Sequence, residues 1–111
     1  MYEYTRHGDF VVIKLVDELN NQNSVNLKEW ILSEFLNFGD NKILLDMTNL
    51  DSIDSHALGI LISLYKRILL SGGELALLSP NSNIRRLFQI TGMEKILRIY
   101  DTLSEALRSL Q

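Results

Sequence analysis

The chain has 111 residues, 46% of them hydrophobic and 23% charged, which fits one globular domain over 1–111 and excludes a disordered or collagen-like segment. Its 11 basic and 14 acidic side chains leave a formal charge of −3, against the basic stripe expected of a direct nucleic-acid binder. With no cysteine and only His7 and His56, disulfides, thiolate metal sites, thiol catalysis and a multi-histidine zinc site are excluded.

Tyr2 to Arg6 reads as a first strand, His7-Gly8-Asp9 as a turn, and the β-branched run Phe10 to Val16 as a second strand folding back as a hairpin. The first ten residues, with Glu3, Arg6 and Asp9, are too polar for the apolar core of a secretory leader. A polar loop, Asn20 to Ser24, follows. Leu27, Trp30, Ile31, Phe35 and Phe38 then recur at helical spacing, with Asn23 or Ser24 as the cap, Glu29 near the positive end and Gly39 at the stop. Ile43-Leu44-Leu45 suits a central strand buried on both faces. A loop, Thr48 to Asp54, leads into a helix from about His56 to Leu70. Its early turns are apolar almost all round, which predicts deep burial. The longest strongly apolar stretch, Ala57 to Tyr65, is far short of the ~20 residues of a membrane span. The expected location is therefore the cytoplasm. Gly72-Gly73 ends the helix, and Leu75 to Leu78 is the next buried strand. Ser79-Pro80-Asn81 opens a helix carrying Ile84, Leu87 and Phe88 that stops at Gly92. Ile96 to Tyr100 is an edge strand, and the capping box Thr102-x-x-Glu105 begins a last amphipathic helix.

The order β-β-α-β-α-β-α-β-α predicts an α/β fold: a mixed, mostly parallel sheet of about five strands with about four helices and an N-terminal hairpin. In such sheets the loops at the carboxyl ends of the strands form the working edge. The Asn20–Ser24 and Thr48–Asp54 loops should both lie there as neighbours.

The segment Asp46-Met47-Thr48-Asn49-Leu50-Asp51-Ser52-Ile53-Asp54-Ser55-His56-Ala57-Leu58-Gly59 is the unusual one. It places Asp54 or Ser55 at a helix N-cap, where such residues serve structure alone in many proteins. A helix N-terminus also accepts a phosphate, so a serine there can be phosphorylated without unfolding the domain. Asp54, Ser55 and His56 hold the residue types of a hydrolase triad. Consecutive residues entering a helix diverge by roughly 100°, however, and no glycine-flanked nucleophile elbow surrounds Ser55. A P-loop is absent, and Asp46 and Asp51 without further ligands read as turn and cap residues rather than a metal site.

At this segment the sequence resembles the STAS domain family, specifically the bacterial anti-sigma-factor antagonists. Asp46 to Gly59 is similar to their pattern Asp-(Leu/Met)-(Ser/Thr)-x-(Leu/Val)-x-x-(Ile/Met)-Asp-Ser-(Ser/Thr)-Gly-Leu-Gly, apart from positions 56 and 57. The helix continuing through Ile60 to Arg67 is also similar, as are Gly72-Gly73-Glu74-Leu75, Ser79-Pro80 and Arg86-Leu87-Phe88-Gln89-Ile90-Thr91-Gly92-Met93. Glu18-Leu19-Asn20 stands where the family often has Glu-Leu-Asp. The chain departs from the pattern at His56 for Ser/Thr, Ala57 for Gly, and Asp17 for the Gly usual before Glu-Leu.

The resemblance implies a STAS-like domain without enzymatic activity or a cofactor. It would act as a partner-switching module controlling a sigma factor, and thus transcription, indirectly. Unphosphorylated, it would bind an anti-sigma factor that is a serine kinase. Phosphorylation of Ser55 would release that kinase, and a serine phosphatase would restore binding. The implied partner surface is Asn20, Asn21, Asp51, Ser52, Asp54, Ser55, His56, Ala57 and Gly59, with the Asp54 carboxylate helping to position the hydroxyl. The Ala57 methyl would sit at the partner face, and His56 could be cationic beside a phosphate. Within the same family, an unphosphorylated scaffold subunit of a lipid-transport ABC complex or stress-sensing assembly is the alternative. A serine hydrolase is the reading from another class.

Overall fold

The computed structural model describes residues 2–110. Its elements are strands β1 (Tyr4–His7), β2 (Phe10–Leu19), β3 (Lys42–Ile53), β4 (Glu74–Leu78) and β5 (Arg98–Tyr100), with helices α1 (Asn21–Glu34), α2 (Ser55–Leu70), α3 (Ser82–Thr91) and α4 (Leu103–Leu110). Short 3-10 turns at Leu36–Phe38 and Met93–Lys95 lead out of α1 and α3. The five strands form one sheet in chain order, β1 antiparallel to β2 and every later pair parallel. The expected α/β architecture and hairpin are both present.

Three successive crossovers advance in one direction, so α1, α2 and α3 share one face of the sheet, as a uniform crossover hand requires. Between them and the sheet lies the larger core, including Val11, Ile13, Leu15, Leu45, Met47, Leu61 and Phe88. The alternate strand residues Phe10, Val12, Leu44, Ala76 and Leu78 face the other way and pack on Ala106 and Leu110 of α4. Ile43-Leu44-Leu45 is fully buried because both faces of the central strand are covered. Near the sheet edge, Tyr4, Trp30 and Phe35 pack ring against ring at 5.1–6.0 Å and hold β1 on α1. Arg6 stacks over Phe35 and grips Asp40 with two hydrogen bonds of 3.0 and 3.1 Å.

Several local expectations are corrected. The Thr48–Asp54 loop is strand as far as Ile53. Beyond Asp46, β3 has left β4 and pairs with β2 alone. Two register shifts, opposite Lys14/Val16 and Asp17/Glu18, give β3 two more residues than β2 over this stretch. Burial there falls on Met47, Leu50 and Ile53, a period of three rather than two. Asp17 sits at the second shift with φ +63°. Thr48 donates to Asp46 Oδ1 from both its amide (3.0 Å) and its hydroxyl (2.6 Å), a local bond that braces the first shift.

α1 begins at Asn21, earlier than the apolar spacing suggested, so Glu29 is mid-helix and the first turn holds no acid. Phe38 lies in the 3-10 turn, 78% exposed, instead of in the helical stripe. α2 buries Ala57, Leu58, Leu61, Leu64 and Ile68, while Gly59, Leu69 and Leu70 are exposed; it is a surface helix with one apolar face, not one buried all round. The last strand starts at Arg98, although Leu97 just before it is buried. Glu105 and Thr102 form a shifted capping box: the Glu105 amide donates to the Thr102 hydroxyl, and the Glu105 carboxylate accepts from the amide of Asp101 rather than Thr102. Among the described residues no helix is long and apolar enough to cross a membrane.

Candidate partner-binding site

β2 and β3 end side by side, and each runs directly into a helix. The Asp54 amide donates to the Leu19 carbonyl at 3.1 Å, so the last residues of the two strands fix the first residues of α1 and α2 beside one another. The two segments expected to be neighbours on the working edge are neighbours.

The start of α1 is built by asparagine. Asn20 is the N-cap, not Asn23 or Ser24. Its Oδ1 accepts from the amides of Gln22 and Asn23, each at 3.0 Å, and Asn23 Oδ1 returns a bond from the Asn20 amide at 2.7 Å. This is a capping box with asparagine in the role usually taken by Glu or Gln. Asn23 Nδ2 donates to the Glu18 carbonyl at 2.8 Å, and Asn20 Nδ2 to the Glu18 carboxylate at 3.2 Å. Ser24, the other expected cap, is buried inside the first turn.

At the start of α2, Asp54 is the N-cap and Ser55 the first helical residue. Asp54 Oδ1 accepts from the Ala57 amide at 2.8 Å, and Oδ2 accepts from the Asn21 amide of the other helix at 3.1 Å. Ser55 and His56 are exposed, as are Asn21, Asp51, Ser52, Asp54 and Gly59, while Asn20 is half-buried. Ala57 is the exception: it is fully buried in the core, so its methyl group cannot stand at a partner face. Since the third helical residue points inward, an alanine there packs against the sheet. The Asp54 carboxylate is bonded to two backbone amides and does not orient the Ser55 hydroxyl. Among the described residues no hydrogen bond joins the side chains of Asp54, Ser55 and His56, so the geometry of a triad is absent.

A third helix start adjoins the far end of β3. Asn81 caps α3 through Oδ1, and its Nδ2 donates to the carbonyls of Leu50 (3.2 Å) and Asp51 (3.1 Å), tying α3 to the bulged end of β3. Sequence reading did not single out Asn81 for this; its place after Ser79-Pro80 was the available signal. A shallow cavity of about 130 Å³ between them is lined by Asp51, Ser52, Ile53, Asn83, Ile84 and Leu87. That is well below the ~300–1,000 Å³ of small-molecule sites, so this edge is shaped as a surface rather than a pocket. No three metal-ligating side chains gather among the described residues.

The first amides of a helix have no carbonyl of their own helix to bond, and they carry the positive end of its dipole. The Ser55 hydroxyl stands at that end, exposed, on a backbone fixed by Asp54. Glu18, Asp51 and Asp54 are exposed at the same end of the β2–β3 pair, so this edge carries acidic side chains.

The sequence pattern of the STAS domain family matches residues 1–106. This chain belongs to the STAS domain family. The STAS domain is 42% identical over 111 residues to a Thermotoga neapolitana protein provisionally named as an anti-sigma factor antagonist, covering 100% of this chain and 98% of the relative. It is 30% identical over 109 residues to the anti-sigma F factor antagonist of Paenibacillus polymyxa, covering 98% and 93%. Among solved structures, the crystal structure of a provisionally named anti-sigma factor antagonist from Thermotoga maritima superposes with a TM-score of 0.92 at 41% identity, covering 97% of this STAS domain and 92% of that chain.

Proposed function

We propose that this STAS domain is a cytoplasmic anti-sigma factor antagonist, a binding module switched by phosphorylation of Ser55. With a free hydroxyl at Ser55 it binds an anti-sigma factor that is a serine kinase, and so frees a sigma factor. Once that kinase has phosphorylated Ser55, the complex separates, and a serine phosphatase resets the module. Its effect on transcription is indirect, with no nucleic acid bound. The names of its relatives support the first part of this reading. The observation that carries the second part is the position of Ser55: exposed, first in α2, beside the cap. The contact surface comprises Asn20, Asn21, Asp51, Ser52, Asp54, Ser55, His56 and Gly59.

The energetics fit a switch that leaves the fold alone. A phosphate adds about −1.5 to −2 charges, which the positive end of α2 tolerates in the free domain. Inside a complex the same dianion is desolvated next to acidic neighbours. An uncompensated buried charge costs several kcal/mol, and ~2.8 kcal/mol is already a hundredfold in affinity.

The test is the intact mass of the protein after incubation with ATP and candidate serine kinases of its own organism, with the modified residue located by peptide mapping. One phosphate on Ser55 is expected. In binding assays with that kinase, Ser55→Ala should bind like the parent and Ser55→Asp at least ~10-fold more weakly. If no kinase modifies Ser55, or if both variants bind like the parent, Ser55 is not the switch.

A further inference from the structure

We infer that Asp54 is a positioning residue that joins the N-termini of α1 and α2 into one recognition surface, so that a partner reads Asn20–Asn21 and Ser55 as a unit. The use of that surface rests on the phospho-switch reading, whereas its assembly rests on the geometry.

An N-cap needs one acceptor, and Asp54 Oδ1 supplies it to Ala57 at 2.8 Å. The second oxygen does something a cap does not require. Asn21 is the first residue of α1, and its amide is among those that no carbonyl of its own helix can accept. Asn20 already takes the amides of Gln22 and Asn23. The amide of Asn21 goes instead to Asp54 Oδ2 at 3.1 Å, across 33 positions of sequence. With the Asp54 amide on the Leu19 carbonyl, three bonds of this residue reach the end of β2 and the starts of α1 and α2, besides the ordinary helical bond its carbonyl accepts from the Leu58 amide.

Side-chain chemistry then explains why aspartate stands here. Ser, Thr or Asn caps a helix about as well as Asp. A Ser or Thr hydroxyl, however, offers a single oxygen. Asn would turn an NH₂ donor toward the N–H of Asn21. The amides of Ala57 and Asn21 are met by different oxygens of one side chain, an arrangement that a carboxylate supplies with an acceptor on each side, and charge strengthens each bond. Asp54 is thus set by the bridge rather than by the cap.

Two substitutions cut the bridge from opposite sides. Asp54→Ser keeps an α2 cap but loses the second acceptor. Asn21→Pro deletes the donor at the first helical position, where the helix backbone suits proline, and its ring displaces Asp54 Oδ2 from the place it held. The residue before it, Asn20, is already extended (φ −125°, ψ −177°), as a residue preceding proline must be. Asn21→Ala, which removes the side chain and keeps the amide, is the reference for Asn21→Pro.

In the free protein, amide hydrogen exchange by NMR should show the Asn21 amide exchanging at least ~10-fold faster in Asp54→Ser, with Ala57 still protected. Unchanged exchange at Asn21 overturns the bridge. In binding to the kinase that modifies Ser55, Asp54→Ser should weaken affinity about tenfold, and Asn21→Pro about tenfold relative to Asn21→Ala. The double variant should be no weaker than Asp54→Ser alone, because both remove one bond. Additive losses, or Asn21→Pro binding like Asn21→Ala, overturn the inference. Ser55→Asp in the same assay separates the two claims. If Ser55→Asp binds like the parent, the switch reading fails, and exchange at Asn21 decides the bridge alone. If Ser55→Asp is weak while Asp54→Ser and Asn21→Pro match their references, the bridge fails and the switch stands.

Discussion

Gly59 lies on α2 four residues after Ser55, one turn further along the same exposed face. Its φ is not positive, and a Cβ added there would meet nothing within 4 Å. Nothing in the free fold therefore asks for glycine. In a helix interior, glycine is about 0.8–1.0 kcal/mol less favourable than alanine, partly because it leaves the unfolded chain freer. Gly59→Ala should stabilise the domain by about that amount, raising the melting temperature by about 4 °C for a chain of this size. Calorimetry and urea denaturation at constant m-value would measure it. On the proposed contact surface, the same methyl group should weaken binding of the proposed kinase partner, since it would stand free, with nothing within 4 Å, one turn along from Ser55. If Gly59→Ala lowered the melting temperature, the open space at this position would be refuted. If it raised the melting temperature and left affinity unchanged, Gly59 would lie outside the contact surface.

Gly73→Ala should do the opposite: its Cβ would lie 2.0 Å from the Asn41 carbonyl oxygen and 2.7 Å from Asn41 Cβ, and backbone has to move. A loss of about 2–3 kcal/mol, or about 8–12 °C in melting temperature, is expected by calorimetry. Asp17→Gly should stabilise by up to about 1 kcal/mol in urea denaturation, because φ +63° suits glycine and strains an L-residue. The two hydrogen bonds from Arg6 hold the Asp40 carboxyl below its ordinary 3.8. A depressed folded-state value means that this stabilisation is present above 3.8 and is lost as the pH falls through the lower, folded value. Asp40→Asn should thus melt slightly below the parent at neutral pH, and the gap should close under acid; a gap that widened in acid would refute the assignment.

Much of the fold is legible in the sequence because the signals are local. The hairpin turn at Gly8, the apolar runs of β3 and β4, and the stop at Gly92 each announce themselves within a few residues, whereas Gly39 ends the 3-10 turn and α1 itself stops at Glu34. The far half of β3 does not. Its register shifts against β2 bury every third residue, so Met47, Leu50 and Ile53 look like neither a strand nor a helix. The shift at Asp17 left one trace, the family's usual glycine at that position, which is the residue a positive φ favours. The start of α1 was blurred by a surplus of capping residues: Asn20, Asn21, Asn23 and Ser24 are all competent, and the choice depends on β2 running to Leu19. At the start of α2, Ser55 and Asp54 were readable from the strand-to-helix transition. The second bond of Asp54 was not, since it joins residues 33 positions apart and follows only from two strands ending together.

Strand order that copies chain order has a consequence for synthesis. Each parallel neighbour lies one helix away in the chain, and no strand has to be inserted between two that are already paired. A nascent chain can therefore grow the sheet from one margin outward, each emerging strand meeting a finished template. The last piece, α4, then seals the opposite face over Phe10, Val12 and Leu44. Until α4 has been made, Phe10, Val12 and Leu44 lack the cover that Ala106 and Leu110 give them, and a chain stalled before that point would offer this face of the sheet to a chaperone.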